Sequence, residues 1–378
     1  MSAPEWHEIE QRAGFENARS LAERDIAPAL KALPGETLGK DGTPKSVQWP
    51  FALAFGFFIV AFLLVGALTP DNFIGVALRI ITFPVLFVGA FILVLFLFQD
   101  RFLRLFLRGQ ERYLARSKAL ASIAALQGLA YAPSPGGAPE TLRAFSKWRY
   151  APRKFREITE LLDMHGGLDA PLAAAKRAGV LGPNVVILAS AEQKRKYLER
   201  EADGLRLQDG FEGVRDGLEF AAFEWVEAVD DAPDIHHLTI VLQAPARLQG
   251  VTQLRSRGTF WPRPPDGVDL EEVDLARGAF SDRFRVRAQD QTEARAVFNP
   301  AVIERTAALA HDAKIRAVAF QEGLVIDVAG GDRFNMIDLA TGVWSDETIR
   351  QSYQDVTELL DLIDAAVAAF MLRAKPSS

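Results

Sequence analysis

The chain has 378 residues, no cysteine and a formal net charge of -6 at pH 7. Without cysteine there are no disulfides, no thiolate metal centres and no cysteine nucleophile. The acidic balance argues against a general affinity for nucleic acid, which needs a basic face. Apolar residues make up 49%, with 26 phenylalanines against 5 tyrosines, and much of the phenylalanine lies between Phe51 and Phe106.

The opening "MSAPEWHEIEQRAG" has neither a basic start nor an apolar core, so no cleaved secretory signal is expected. Residues 4–33 have helical spacing, with Trp6, Ile9, Phe15, Leu21 and Ile26 on an imperfect apolar face. Pro34 to Trp49 is aperiodic and reads as a linker.

From Trp49 to Leu68 the sequence is uncharged. Such a run, about 30 Å long as a helix, matches the hydrocarbon core of a bilayer. "TPDN" at 69–72 permits an immediate return. A second run reaches Phe98 from about residue 74, interrupted by Arg79 near its start, where a long side chain snorkels to the interface. Pro84 and Gly89 lie inside it as tolerated helix breakers. Lys31, Lys40 and Lys45 precede the pair, and Arg101, Arg104, Arg108, Arg112, Arg116 and Lys118 follow it. The positive-inside rule then places both termini in the cytoplasm. Trp49 reads as an interfacial anchor, and Arg101, Arg104, Arg108 and Arg112, on one helical face, as contacts for lipid headgroups.

Helix continues over 101–129 until "APSPGGAP" at 132–139 breaks the chain. Residues 140–210 read as mostly helical and charged. Strand signals then take over at 218–229, 237–245 and 282–289, the last placing Phe284 and Val286 on one face and Arg283, Arg285 and Arg287 on the other. A hairpin over 314–331 turns near Gln321-Glu322-Gly323, after a helix over 299–312 capped by Asn299. The chain closes with a helix over 346–372.

The expected organisation is thus an α+β membrane protein. Its parts are a cytoplasmic helix and linker (1–48), a two-helix transmembrane hairpin (49–98), a basic juxtamembrane stalk (99–131), a helical charged region (140–210) and a cytoplasmic domain of antiparallel sheet plus helices (211–374). Phe284, Val286, Asp290, Glu293, Ala294, Arg295, Pro300, Phe320 and the apolar face of 349–370 carry a resemblance to the bacterial domain-of-unknown-function 3137 family, over about residues 210–372. That resemblance implies two membrane spans, hence a multi-pass inner-membrane protein, and an α+β C-terminal region. It implies no activity, cofactor or catalytic residue.

No phosphate loop, dinucleotide fingerprint, zinc-protease helix, serine elbow or calcium loop is present. "DVAGGDRF" (327–334) has no lysine and reads as a turn between strands. The densest metal candidate is "DDAPDIHH", with Asp230, Asp231, Asp234, His236 and His237. Adjacent histidines in a strand point to opposite faces, however, and aspartates before a strand are common turn residues. Asp290, Glu293 and Arg295 admit an acid–base reading, but a polar turn with a carboxylate cap is the simpler one. Trp261, beside prolines, offers a loop for a partner or a plug for the core edge, while Arg255, Arg257 and Arg263 admit a nucleic-acid reading that the acidic surroundings weaken.

The sequence therefore points to a membrane-anchored binding or scaffold module with no cofactor. Its expected partners are membrane lipid and another membrane or cytoplasmic protein. A membrane-surface enzyme and a subunit of an oligomeric transporter are the competing readings.

Overall fold

The computed structural model describes residues 3–33, 111–133, 135–148, 151–166, 204–229, 232–259, 264, 267–275, 282–311, 313–337 and 342–374. The chain forms two compact units, one of residues 1–22, 117–335 and 347–378, the other of 23–116 and 336–346.

The N-terminal stretch, expected as one helix, is divided. Helix α1 (Trp6–Glu10) opens with a capping box between Glu5 and Glu8, and α2 (Ala18–Leu21) follows. Between them Gly14 takes a positive φ of 86° while its N–H donates to Glu16, which breaks the helical repeat. A π turn (Ala22–Ile26) leads to α3 (Ala27–Lys31), with Pro28 in its first turn. In the second unit the described residues hold a local Arg24–Asp25 pair at 2.7 Å.

Helix α4 covers 111–126. It is followed by β1 (Ala130–Ala132), α5 (Glu140–Ser146) and α6 (Arg153–Gly166). Then come β2 (Leu205–Arg215), β3 (Leu218–Glu227), β4 (Ile235–Gln243), β5 (Thr252–Ser256), β6 (Glu271–Glu272) and β7 (Phe284–Ala288). Helices α7 (Gln291–Val297) and α8 (Pro300–Ala310), the hairpin β8 (Lys314–Phe320) and β9 (Gly323–Gly330), and α9 (Asp346–Ala374) complete the described chain.

Among the described residues the strands form one sheet in the order β1-β2-β3-β4-β9-β8-β5-β7-β6, every pairing antiparallel. Its middle strands are apolar at both parities, so they bury both faces. On the first face Phe223, Trp225, Val318, Phe320 and Val325 meet Leu142 and Phe145 of α5 and Phe155, Ile158 and Leu162 of α6. Phe145 stands edge-on to Trp148 and Phe155, at centroid distances of 5.1 and 5.2 Å. Each such side chain contributes about 1.5–3 kcal/mol by leaving water. On the other face α8 packs on β9. There α9 is tied down by Arg215–Asp364 at 3.3 Å and by the Phe334 N–H donated to Asp355 at 2.9 Å. Tyr353 of α9 donates its hydroxyl to the Ala18 carbonyl at 3.2 Å, with the rings of Trp6 and Phe15 edge-on to it.

The expected membrane architecture is corrected by this structure. What is described is a protein built on a large antiparallel sheet, and among the described residues no helix is long and apolar enough to cross a membrane. The longest helix, α9, carries Arg350, Asp355, Glu358, Asp361 and Asp364 between its buried apolar positions, the pattern of a helix laid on a sheet. The transmembrane keywords and the multi-pass inner-membrane placement are corrected with it. The runs 49–68 and about 74–98, with Trp49 and Arg79, lie outside the described residues. Strand β2 begins at Leu205, within the stretch expected as helical, and residues 167–203 of that stretch lie outside the described residues. Strand β5 carried no signal that set it apart from its loop.

The hairpin joining β8 to β9 depends on one glycine. Gly323 has φ 153°, and a Cβ there would lie 2.1 Å from the Leu242 carbonyl oxygen of the neighbouring strand. Gly323→Ala should therefore cost about 2 kcal/mol or more, measured by urea denaturation.

Candidate functional site

Beta alternation distributes chemistry on the two faces of β4. His237 points to the first face, opposite Trp225 in register, and the two rings stack at 3.9 Å with an interplanar angle of 7°. Trp225 donates its Nε1–H to Thr239 Oγ1 at 2.9 Å. Thr239 pairs across the ladder with Asp327 of β9, and Asp327 with Arg316 of β8. Asp327 is 1% exposed. Its carboxylate lies 3.1 Å from His237 Nδ1 and accepts two bonds from Arg316, at 2.6 and 3.2 Å. Burial pushes this carboxyl up, but His237 and then Arg316 outweigh it and hold it below its ordinary value.

With Nδ1 facing the carboxylate, that nitrogen carries the hydrogen and Nε2 is turned the other way. Nε2 is buried, has no hydrogen-bond partner among the described residues, and is 4.0 Å from Glu227, which Lys154 holds at 3.2 Å. Nucleophilic catalysis needs a hydroxyl within hydrogen-bond reach of such a base, and here Nε2 has none so placed among the described residues.

On the opposite face, Glu224 of β3 is fully buried. Its Oε1 accepts the Arg333 N–H at 3.0 Å, while Oε2 has no hydrogen-bond partner among the described residues. His236 Nδ1 stands 3.5 Å from Glu224 Oε1 and 3.6 Å from Asp332 Oδ1. Burial raises the Glu224 carboxyl to about 7; His236 and the Arg333 N–H oppose the rise, and Asp209 and Asp332 add to it. His236 is raised in turn, chiefly by Glu224.

A cleft of about 1010 Å³ crosses the ends of β4, β9 and β8, reaching Glu227, His237 and Arg316 on one side and Asp332, Arg333 and Asp355 on the other. A second hollow of about 730 Å³ lies over β2 and β3, near Glu212 and Glu219.

Beside the cleft, the first face carries a row of like charge. Arg285 of β7 is the register partner of Arg255 in β5, and Arg255 of Arg316 in β8. Arg285 and Arg287 are exposed. Partial burial, then Arg285 and Arg287, hold the Arg255 guanidinium below its ordinary value, with Glu272 opposing.

The residues singled out in the sequence fall in different places. His236 and His237 do point apart, and Asp234 pairs with Arg206 at 2.5 Å, so the 230–237 cluster does not assemble as one site. Asp230 and Asp231 lie outside the described residues, as do Trp261 and Arg263. Asp290 caps α7 through the N–H groups of Thr292 and Glu293, at 2.8 and 3.0 Å. Glu293 accepts from Gln249 and Gly250 at 3.0 and 2.8 Å, and Arg295 donates to Gln291. These three hold a turn together and form no acid–base pair. Arg112 is 2% exposed, and Arg101, Arg104 and Arg108 lie outside the described residues. Sequence reading missed Asp327, Arg316, Glu224 and Asp332. The one available cue was a charge inside an apolar strand, as in "LVIDVAGG" and "FAAFEWVE".

Asp327→Asn leaves His237 and Arg316 without their buried counter-charge and should cost about 3 kcal/mol at pH 7 by urea denaturation. Because the folded-state pKa is depressed, the stability that Asp327 confers is present above its ordinary value of 3.8 and lost as pH falls through the folded-state value. The gap between wild type and variant should therefore close on acidification below that range.

No curated protein matches the chain. Among solved structures, that of the mycobacterial trehalose monomycolate transport factor A is similar at 13% identity. The match covers 66% of this chain and 95% of that one, and its TM-score of 0.29 is too low to carry an argument. Residues 237–366 match a family described as protein of unknown function, DUF3137. The matched stretch begins at His237 and includes Asp327, Arg316 and most of α9; over it, the chain is similar to the DUF3137 family.

Proposed function

We propose that the protein is a binding or scaffold module whose first sheet face receives an acidic segment of a partner protein. The observation that carries this reading is the row Arg285–Arg255–Arg316 on three adjacent strands. Like charges directly opposite one another destabilise a sheet. A carboxylate-rich ligand lying across the row relieves that repulsion and gains charge-assisted hydrogen bonds. Asp327 neutralises one end of the row and fixes Arg316 against the sheet, so the cationic surface is preorganised. The unaccompanied Nε2 of His237 favours binding over nucleophilic catalysis. The family match assigns no activity that speaks against this reading.

The test uses the full chain and a labelled glutamate-rich peptide, read by fluorescence anisotropy. Arg285→Glu with Arg287→Glu, both exposed, should weaken binding about ten-fold or more, and wild-type affinity should fall with added salt. Equal binding by wild type and double variant would sink the proposal. Tighter binding of an oligonucleotide of the same charge, or turnover of substrate dependent on His237, would sink it equally.

A further inference from the structure

We infer that Glu224, His236 and Asp332 form a binding site for a first-row divalent cation, on the sheet face opposite the arginine row. Two adjacent strands and one loop distant in sequence deliver these groups. Glu224 lies within β3, and His236, the second residue of β4, pairs with Val226, which sets the two side chains as diagonal neighbours on one face. His236 also pairs with Gly330, the last residue of β9, and the chain then bends so that Asp332 arrives beside the imidazole. The bend is pinned by two backbone bonds, Arg333 N–H to Glu224 and Phe334 N–H to Asp355. The loop is thus positioned by one of the proposed ligands and by the long terminal helix.

The spacings are longer than those of good hydrogen bonds and near those between ligands of one ion. His236 Nδ1 lies 3.5 Å from one carboxylate oxygen and 3.6 Å from the other, and one donor atom from each of the three residues falls within 4.8 Å of the rest. An ion with bonds of about 2.0–2.1 Å holds tetrahedral ligands about 3.4 Å apart. A cation at the centre therefore needs only a slight closure of the groups around it.

The chemistry agrees with the spacing. One imidazole with two carboxylates suits zinc, manganese or iron(II) better than magnesium, which prefers oxygen and water. Glu224 supplies an independent observation: its carboxylate is buried beyond nine-tenths, yet Oε2 has no hydrogen-bond partner among the described residues. Burying a carboxylate oxygen without a partner is costly, and a cation removes that cost. The nearest arginine does not supply the charge. Arg333 gives Glu224 only its backbone, while its guanidinium donates to the Leu309 carbonyl at 2.6 Å and approaches Glu358 at 3.9 Å. Asp332 and His236 are partly exposed, at 36% and 17% of their side chains, which leaves an open side for water or for a partner's carboxylate.

The experiment titrates the chelator-treated full chain with zinc chloride by calorimetry, with magnesium chloride as control and thermal unfolding as a second readout. Wild type should bind one zinc ion per chain and melt at higher temperature when loaded. Asp332→Asn, on the loop, and His236→Gln should each weaken zinc binding by more than the roughly ten-fold expected from losing an outer-shell contact. Circular dichroism of the metal-free variants, unchanged from wild type, separates lost ligation from lost folding. Glu224→Gln, which keeps the Arg333 bond, should lose zinc-induced stabilisation while remaining folded. Failure of wild type to bind zinc at about 100-fold excess, equal zinc affinity in folded variants, or magnesium binding as tight as zinc would each overturn the site.

Discussion

The side-chain period of two in β4 sends His236 to one face of the sheet and His237 to the other, and the chemistry of the molecule is divided by that alternation. In a sheet with one solvated face, one of the pair would simply meet water. Here both faces are covered, so each histidine is forced to find partners inside the protein. His237 finds an aspartate, an arginine and an indole ring; His236 finds two carboxylates. The ladder fixes both sets because their members are register partners or diagonal neighbours, not residues brought together by flexible loops.

On the first face, the buried charge of Asp327 is what the surroundings are arranged to compensate. His237 and Arg316 approach it from neighbouring strands, and Phe155 of α6 lies 5.7 Å below the Arg316 guanidinium. The same arginine ends the cationic row and borders the cleft. Stability and the binding surface are therefore coupled through one side chain. A substitution at Arg316 would disturb both, whereas Arg285 and Arg287 are exposed on β7 and make no bond to Asp327, though Arg287 also donates to the Leu270 carbonyl at 2.7 Å. On the second face, the carboxylate of Glu224 has a backbone partner for one oxygen only. That asymmetry separates the two faces chemically: the first pairs its buried carboxylate with two cationic groups, while the second leaves one carboxylate oxygen without a partner among the described residues.

How much of this could be read from the sequence depended on whether the signal was local. The helix beginning at Pro300 was legible because Asn299 caps it and proline fits its first turn, and Asn299 does accept the Val302 N–H. The β8–β9 hairpin was legible because two apolar runs flank Gln-Glu-Gly. The opposite orientation of the two histidines followed from strand periodicity alone. The register, by contrast, is a tertiary property. Nothing in "TQLRS" announces that it lies between β8 and β7, so the alignment of Arg255 with Arg285 and Arg316 was out of reach. Asp332 is separated from Glu224 by more than a hundred residues, and its loop looked like an ordinary turn. The membrane reading rested on hydropathy in a part of the chain outside the described residues, and the described architecture is that of a covered sheet.

The strand order has a consequence for how such a sheet comes into being. Strands β1 to β4 neighbour one another in chain order, but β4 does not pair with β5; the β8–β9 hairpin sits between them. Without that hairpin, β4 and β5 would each present an open hydrogen-bonding edge. Residues 314–330 act as a keystone, closing both edges in a single insertion and bringing Asp327 to His237 at the same moment. Long-range closure of this kind is slow and leaves exposed edges vulnerable to wrong pairing while it lasts. The buried charge thereby discriminates between registers, since a shifted hairpin would part Asp327 from His237 across the ladder.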